Sequence, residues 1–200
     1  MFIGKYNKSV ILTYIGLALA VTGIFLSTNV KIKEATICLL LAGICDLFDG
    51  KVARMCKRTK EEKEFGVQID SLVDLIAFGV LPTTILYNSV QSNLLCIVIY
   101  IAYVLCALIR LAYFNVVTAE TDKAVKEYSG LPVTTVAFIY PIIWLVIDKL
   151  NLPDISKILL MGLTALLFIT NFKIKKPQGK AYILFSIVGI ISLALLILIW

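Results

Sequence analysis

Seven apolar runs divide the chain, at about 9–28, 35–48, 67–88, 94–118, 131–148, 154–171 and 180–200. A helix crosses the hydrocarbon core of a bilayer with about 20 apolar residues, within a range of about 17–25. The second run is short because it ends in charged residues, and its helix is expected to continue to about Cys56. Turn residues or charges break the runs at Asn88-Ser89, Ser129-Gly130, Asn151-Leu152-Pro153 and Pro177-Gln178-Gly179. Pro132 suits the first turn of the fifth helix, whereas Pro82 and Pro141 fall inside runs and predict kinks. The leader MFIGKYNKSV is polar, and the run from Val10 to Thr28 exceeds the ~7–15 apolar residues of a cleaved signal. It also lacks a clear small-residue cleavage site, so it reads as a retained helix. There is no low-complexity tract and no internal repeat. The pattern predicts an all-α integral membrane protein: one domain over 1–200, a bundle of about seven transmembrane helices.

Composition agrees. Apolar residues make up 60% of the chain and mean hydropathy is +0.95, against about 45–50% apolar in a soluble domain. The net charge of +6 gains meaning once mapped onto the loops. Fourteen basic residues fall before the first run or between runs two and three, four and five, or six and seven: Lys5, Lys8, Lys51, Arg54, Lys57, Arg58, Lys60, Lys63, Lys123, Lys126, Lys173, Lys175, Lys176 and Lys180. The alternate loops hold four, Lys31, Lys33, Lys149 and Lys157, and Arg110 lies within a run. This bias predicts a cytoplasmic N-terminus and an external C-terminus, a parity that seven spans satisfy and six do not. It also explains the pI near 9.0 by loop bias and anionic membrane lipid rather than nucleic acid. The mixed-charge run from Lys57 to Glu64 reads as a solvated turn. Cys38, Cys45, Cys56, Cys96 and Cys106 form no CxxC pair and read as small apolar residues. No histidine is present, which removes the commonest general base and zinc ligand.

Against this apolar background stand four aspartates. Asp46 and Asp49 are spaced i, i+3 and Asp70 and Asp74 i, i+4, so each pair shares a helix face with side chains about 5–6 Å apart. One carboxylate at a bilayer centre costs ~2.5–3.5 kcal/mol on insertion scales. Four call for a compensating charge, and oxygen ligands suit a hard divalent cation. Two such cations can stabilise both the attacking and leaving oxygens of an in-line displacement at phosphorus. Gly50, Ala53 and Gly66 remove bulk where backbone approaches a nucleotide or a neighbouring helix, and Arg54 is a fixed cation for carboxylate or phosphate.

From Asp46 the chain reads DLFDGKVAR and from Gly66 GVQIDSLVD. Together these give Asp-x-x-Asp-Gly-x-x-Ala-Arg, then Gly-x-x-x-Asp-x-x-x-Asp, with eleven residues between Arg54 and Gly66. The combination resembles the signature of the CDP-alcohol phosphotransferase family, whose members more usually have eight or nine residues in that interval. The resemblance implies a six-helix catalytic core, here with one helix more, a homodimer, and an active site open to the cytoplasm. It also implies two Mg²⁺ or Mn²⁺ ions held by Asp46, Asp49, Asp70 and Asp74, and a CDP contact surface of Asp49, Gly50, Ala53, Arg54 and Gly66. Asp74 corresponds to the family's general base.

Three further stretches resemble the serine-accepting branch of that family: DSLVD with FGVLP after it, RLAYFN from Arg110 to Asn115, and Gly130-Leu131-Pro132. They imply CDP-diacylglycerol as donor and L-serine as acceptor, with Arg110 and Asn115 toward the substrate. Arg110 is equally open to a structural ion pair with an aspartate, or to snorkelling. Ser71 reads as a helix-packing hydroxyl, and Tyr113 and Phe114 as packing or belt aromatics. Acceptors carrying a dianion, glycerol 3-phosphate or inositol phosphate, would call for more buried basic residues than Arg110 alone. A divalent-cation transporter also places carboxylates in the membrane. It leaves Gly50, Ala53 and Gly66 without a role, and Arg54 would repel its cargo.

Overall fold

A computed structural model describes residues 3–5, 7–120, 127–175 and 180–200. Among these residues seven helices follow one another: α1 (Ile11–Thr28, entered by a 3-10 turn at Lys8–Val10), α2 (Ile32–Met55), α3 (Lys60–Ser89), α4 (Leu94–Glu120), α5 (Val136–Lys149, entered by a 3-10 turn at Val133–Thr135), α6 (Ile155–Ile169) and α7 (Lys180–Ile199). Two short strands, β1 (Glu127–Ser129) and β2 (Lys173–Lys175), pair antiparallel with Tyr128 opposite Ile174. Lys123, Lys126, Lys176 and the expected break at Pro177-Gln178-Gly179 lie outside the described residues. The segments Lys8–Thr28, Lys60–Ser89 and Leu94–Thr118 are each long and apolar enough to cross a membrane. The second helix does continue past its apolar run, closing at Met55 with Cys56 as its cap.

The bundle distributes its residues as lipid, not water, requires. The buried face of α1 consists of Thr13, Gly16, Ala20, Gly23 and Ser27, small residues at alternating spacings of three and four, while Ile11, Ile15 and Phe25 are exposed. Hydrocarbon outside offers no reason to hide large apolar groups, so helices associate by close backbone approach instead. Gly43 of α2 is the clearest case: a Cβ built there would overlap the Cβ of Ala137 on α5. Large side chains fill the middle. Phe78 of α3, Tyr103 of α4, Tyr140 and Trp144 of α5 and Phe168 of α6 are fully buried, with the Tyr103 and Phe168 ring centroids 5.3 Å apart.

Helix α3 starts earlier than the apolar pattern predicts. Thr59 caps it, its hydroxyl accepting from the Glu62 N–H at 3.2 Å while Glu62 Oε2 accepts from the Thr59 N–H at 2.7 Å. That capping box recruits Lys60–Glu64 into the helix, so the stretch expected as a solvated turn is reduced to residues 57–59. Further along, Leu75–Val80 widens to π geometry and the Leu81 N–H reaches back to the Ile76 carbonyl. Pro82 follows at once, and with no N–H it cannot serve the Phe78 carbonyl four residues back. The Tyr103 hydroxyl donates to that carbonyl instead, at 2.7 Å. A kink expected from the proline thus takes the form of a π segment with a side-chain donor.

The connections sort to two ends. At one, Lys5 Nζ pairs with Glu61 at 2.5 Å and Asn7 Nδ2 donates to the Lys57 carbonyl at 3.2 Å, tying the leader to the α2–α3 turn. The β1–β2 ribbon joins the α4–α5 and α6–α7 connections there. Gly130 closes it: φ is +74°, and a Cβ would sit 2.6 Å from the Phe168 carbonyl oxygen, a position only glycine fills without strain. At the other end, Lys33 Nζ donates to the Ile197 carbonyl at 3.2 Å, and buried Lys157 pairs with Asp148 at 2.5 Å. The N-terminus and the two most basic connections, α2–α3 and α6–α7, therefore share one end, as the parity of the charge pattern demands.

Gly43→Ala is expected to lower the melting temperature in detergent, because overpacking of this kind costs about 1–3 kcal/mol. Adding Ala137→Gly, which reopens the same contact, should recover part of the loss. No change for Gly43→Ala alone would show that α2 and α5 are not closely apposed there.

Candidate active site

Helices α2 and α3 bring all four aspartates to the shared end. One carboxylate oxygen from each of Asp46, Asp49 and Asp70 lies within 4.8 Å of the others. Asp74, one turn further along α3, meets Asp46 side chain to side chain, and Asp49 meets Asp70. Asp49 and Asp74 are each only 9% exposed, and Asp46 and Asp70 are half-buried. Two threonines from other elements join them. Thr13 Oγ1 of α1 donates to Asp49 Oδ2 at 3.1 Å, and the Thr134 side chain, in the turn before α5, faces Asp46. The four carboxylates line a small, partly open cleft, completed by residues such as Gly16, Val73 and Phe78 and by no lysine or arginine.

This donor set fits a divalent cation. The ligands are hard oxygens, the negative charge is concentrated, and no basic side chain lines the cleft to balance it. Nothing in the arrangement distinguishes one such ion from another. The space between the carboxylates is only about 10 Å³, room for one water-sized group. It admits an ion, and a larger molecule must extend onto the neighbouring surface.

That surface carries the rest of the motif. Gly50 is exposed, and a Cβ there would meet only Arg54 Nη1, at 3.7 Å. The Arg54 side chain therefore folds back along α2 toward the acidic cluster, as helical side chains do. A Cβ at Gly66 would meet Val10 Cγ1 at 3.8 Å and Arg58 Nη1 at 3.9 Å. These are ordinary contacts, so neither glycine is required for helix approach. Close helix approach falls instead to Gly43 and Gly23. Ala53, on α2 with Gly50, is half-buried.

Arg110 and Asn115 go to different partners. Arg110 is buried, its Nε donates to the Leu131 carbonyl at 3.0 Å, and its guanidinium lies over the Phe114 ring. It thereby fastens the Gly130-Leu131-Pro132 segment, two residues before Thr134. Asn115 pairs with Ser71, the residue after Asp70, Nδ2 lying 2.9 Å from Oγ. Ser71 is engaged in packing α3 to α4, as expected, and Tyr113 is exposed on the outer surface. All five cysteines are free. Sequence inspection missed Thr13 and Thr134. Thr13 is the one hydroxyl in the first half of the small-residue stripe of α1, a signal visible only once the stripe is recognised. Thr134 has no local signal.

Comparison with known proteins follows the same residues. The family pattern described as CDP-alcohol phosphatidyltransferase matches residues 6–170, which include all four aspartates and stop short of α7. A Methanocaldococcus jannaschii protein named CDP-diacylglycerol–serine O-phosphatidyltransferase is 33% identical over 164 residues, covering 78% of this chain and 75% of its own. A Helicobacter pylori protein of the same name is 30% identical over 177 residues, covering 83% and 73%. An archaetidylserine synthase of Methanothermobacter thermautotrophicus is 37% identical over 115 residues, 57% of this chain and 47% of that one.

Asp49→Asn and Asp70→Asn are each expected to abolish saturable binding of a divalent cation, followed by calorimetry on the purified protein. Thr13→Val, which only removes the hydrogen bond to a ligand, should weaken it about tenfold. Wild-type affinity in Asp70→Asn would exclude the cluster as a cation site.

Proposed function

The chain belongs to the CDP-alcohol phosphatidyltransferase family, and on that footing we propose that it transfers the phosphatidyl group of CDP-diacylglycerol to the hydroxyl of L-serine, forming phosphatidylserine and releasing CMP. The observation that carries this is the convergence of Asp46, Asp49, Asp70 and Asp74 beside an open face formed by Gly50, Arg54 and Gly66. Relatives similar over most of their length and named for serine transfer support the acceptor.

In this account Asp46, Asp49, Asp70 and Asp74 hold two Mg²⁺ or Mn²⁺ ions. When bound, these ions neutralise the diphosphate and make CMP a better leaving group. The nucleotide lies along Asp49, Gly50, Ala53, Arg54 and Gly66, where missing side chains leave it space and Arg54 supplies a cation. Asp74 takes the proton of the serine hydroxyl. The serine oxygen forms a bond to the lipid-bearing phosphorus, and the bond from that phosphorus to the CMP oxygen breaks. A carboxylate suits the base because the chain has no histidine. Asn115, paired with Ser71, offers serine an amide, and Arg110 is the buried cation for its carboxylate. Thr13 and Thr134 keep Asp49 and Asp46 oriented.

The excess of basic residues at the active-site end supports a cytoplasmic active site in a multi-pass protein of the cell membrane, read as one catalytic unit over 1–200. Homodimerisation is carried over from the family resemblance. Family membership leaves the cation-transporter alternative unsupported.

CMP release from CDP-diacylglycerol, in the presence of Mn²⁺, is expected to require serine, and Asp74→Asn should slow it by about 10²–10⁴-fold, the range for loss of a general base. Robust release with glycerol 3-phosphate or inositol phosphate and none with serine would reassign the acceptor. An ether-lipid CDP donor run in parallel reports the preferred lipid.

A further inference from the structure

The two halves of the motif each present a glycine, and over each glycine lies an arginine. On α2, Arg54 Nη1 is 3.7 Å from where a Gly50 Cβ would be; on α3, Arg58 Nη1 is 3.9 Å from where a Gly66 Cβ would be. Arg54 is a motif residue. Arg58 stands outside the motif, in the interval that is longer here than is usual for the family. Gly66 precedes Asp70 by one helical turn, on the same face, so Arg58 sits one turn outward from the acidic cluster.

Arg58 is poorly served by the protein around it. Its Nε is buried without a hydrogen-bond partner among the described residues, and it belongs to none of the four ion pairs found there. On the neighbouring element that carries Val10, Ser9 is only 2% exposed and its Oγ is also unpartnered. Ser9 adjoins Val10, the other residue against Gly66. It also precedes Thr13, which bonds Asp49, by one turn of chain. Buried donors and hydroxyls are matched almost everywhere in proteins. Two unmatched ones on the two segments that flank Gly66 mark a place where a ligand supplies the partner.

We propose that Arg58, with Ser9, binds the nucleotide half of the donor over Gly66, as the counterpart of Arg54 over Gly50. A guanidinium can stack on a pyrimidine ring or bond a phosphate through two N–H groups, and a hydroxyl can donate or accept. The ligand class is a cytidine nucleotide, which rests on the function proposed above.

The test is CMP binding to the full-length protein in detergent with Mg²⁺, together with donor and serine kinetics. Arg58→Ala is expected to weaken CMP at least fivefold and to raise KM for CDP-diacylglycerol by a similar factor. KM for serine should not change. Arg58→Lys keeps the charge but not the planar fork, and should fall between. Ser9→Ala should weaken CMP by a smaller factor. Lys60→Ala removes a charge two residues away from a side chain that is 90% exposed, and should leave CMP affinity within twofold of wild type. CMP affinity unchanged in Arg58→Ala, or lowered equally in Lys60→Ala, overturns the proposal while leaving the function standing. Wild-type protein that binds no CMP overturns both.

Discussion

Everything in this molecule accommodates one electrostatic constraint: four carboxylates brought together at one end of a membrane bundle. Each is costly in an apolar medium, by ~2.5–3.5 kcal/mol on lenient scales, and their mutual repulsion adds to that. Such a cluster is relieved by bound protons or by a shared cation, and no lysine or arginine lines the cleft. The surrounding helices keep the carboxylates from separating. The small-residue face of α1 and the Gly43–Ala137 contact let α1, α2 and α5 approach closely, and Thr13 and Thr134 reach in from two of those directions to hold individual oxygens.

The same constraint explains why the motif splits across two helices. A single helix can present two carboxylates on one face but not four around one ion. The α2–α3 hairpin brings two pairs face to face, and its turn, only residues 57–59 long, fixes their relative height. Beyond Asp74 the π segment and Pro82 interrupt the regular backbone ladder. In lipid every freed carbonyl needs a donor, and Tyr103 provides one for Phe78, a residue that itself lines the cleft. The buried aromatic cluster thus anchors the stretch of α3 that follows the last aspartate.

Much of this could be read from residue order alone. Hydropathy located the seven helices, and the loop charges grouped the connections that the Lys5–Glu61 pair and the β1–β2 ribbon later joined. The Asp spacings paired the carboxylates correctly, because a helix leaves no freedom in which residues share a face. Boundaries were harder. The capping box at Thr59 and Glu62 overrode the polarity of the residues it recruited, so α3 begins well before its apolar run. Long-range partners were harder still. Thr134 meets Asp46 across 88 positions of chain with no local signal, and the Arg110 Nε bond to the Leu131 carbonyl had none either. Such contacts depend on how helices pack, which periodicity does not encode.

The most direct measurement is anomalous diffraction from crystals of the protein grown with Mn²⁺ and CDP. Manganese peaks between the carboxylates of Asp46, Asp49 and Asp70, with the diphosphate bridged to them and the cytidine extending over Gly66, are the expected result. Peaks elsewhere, or nucleotide bound with no metal at the cluster, would contradict the account.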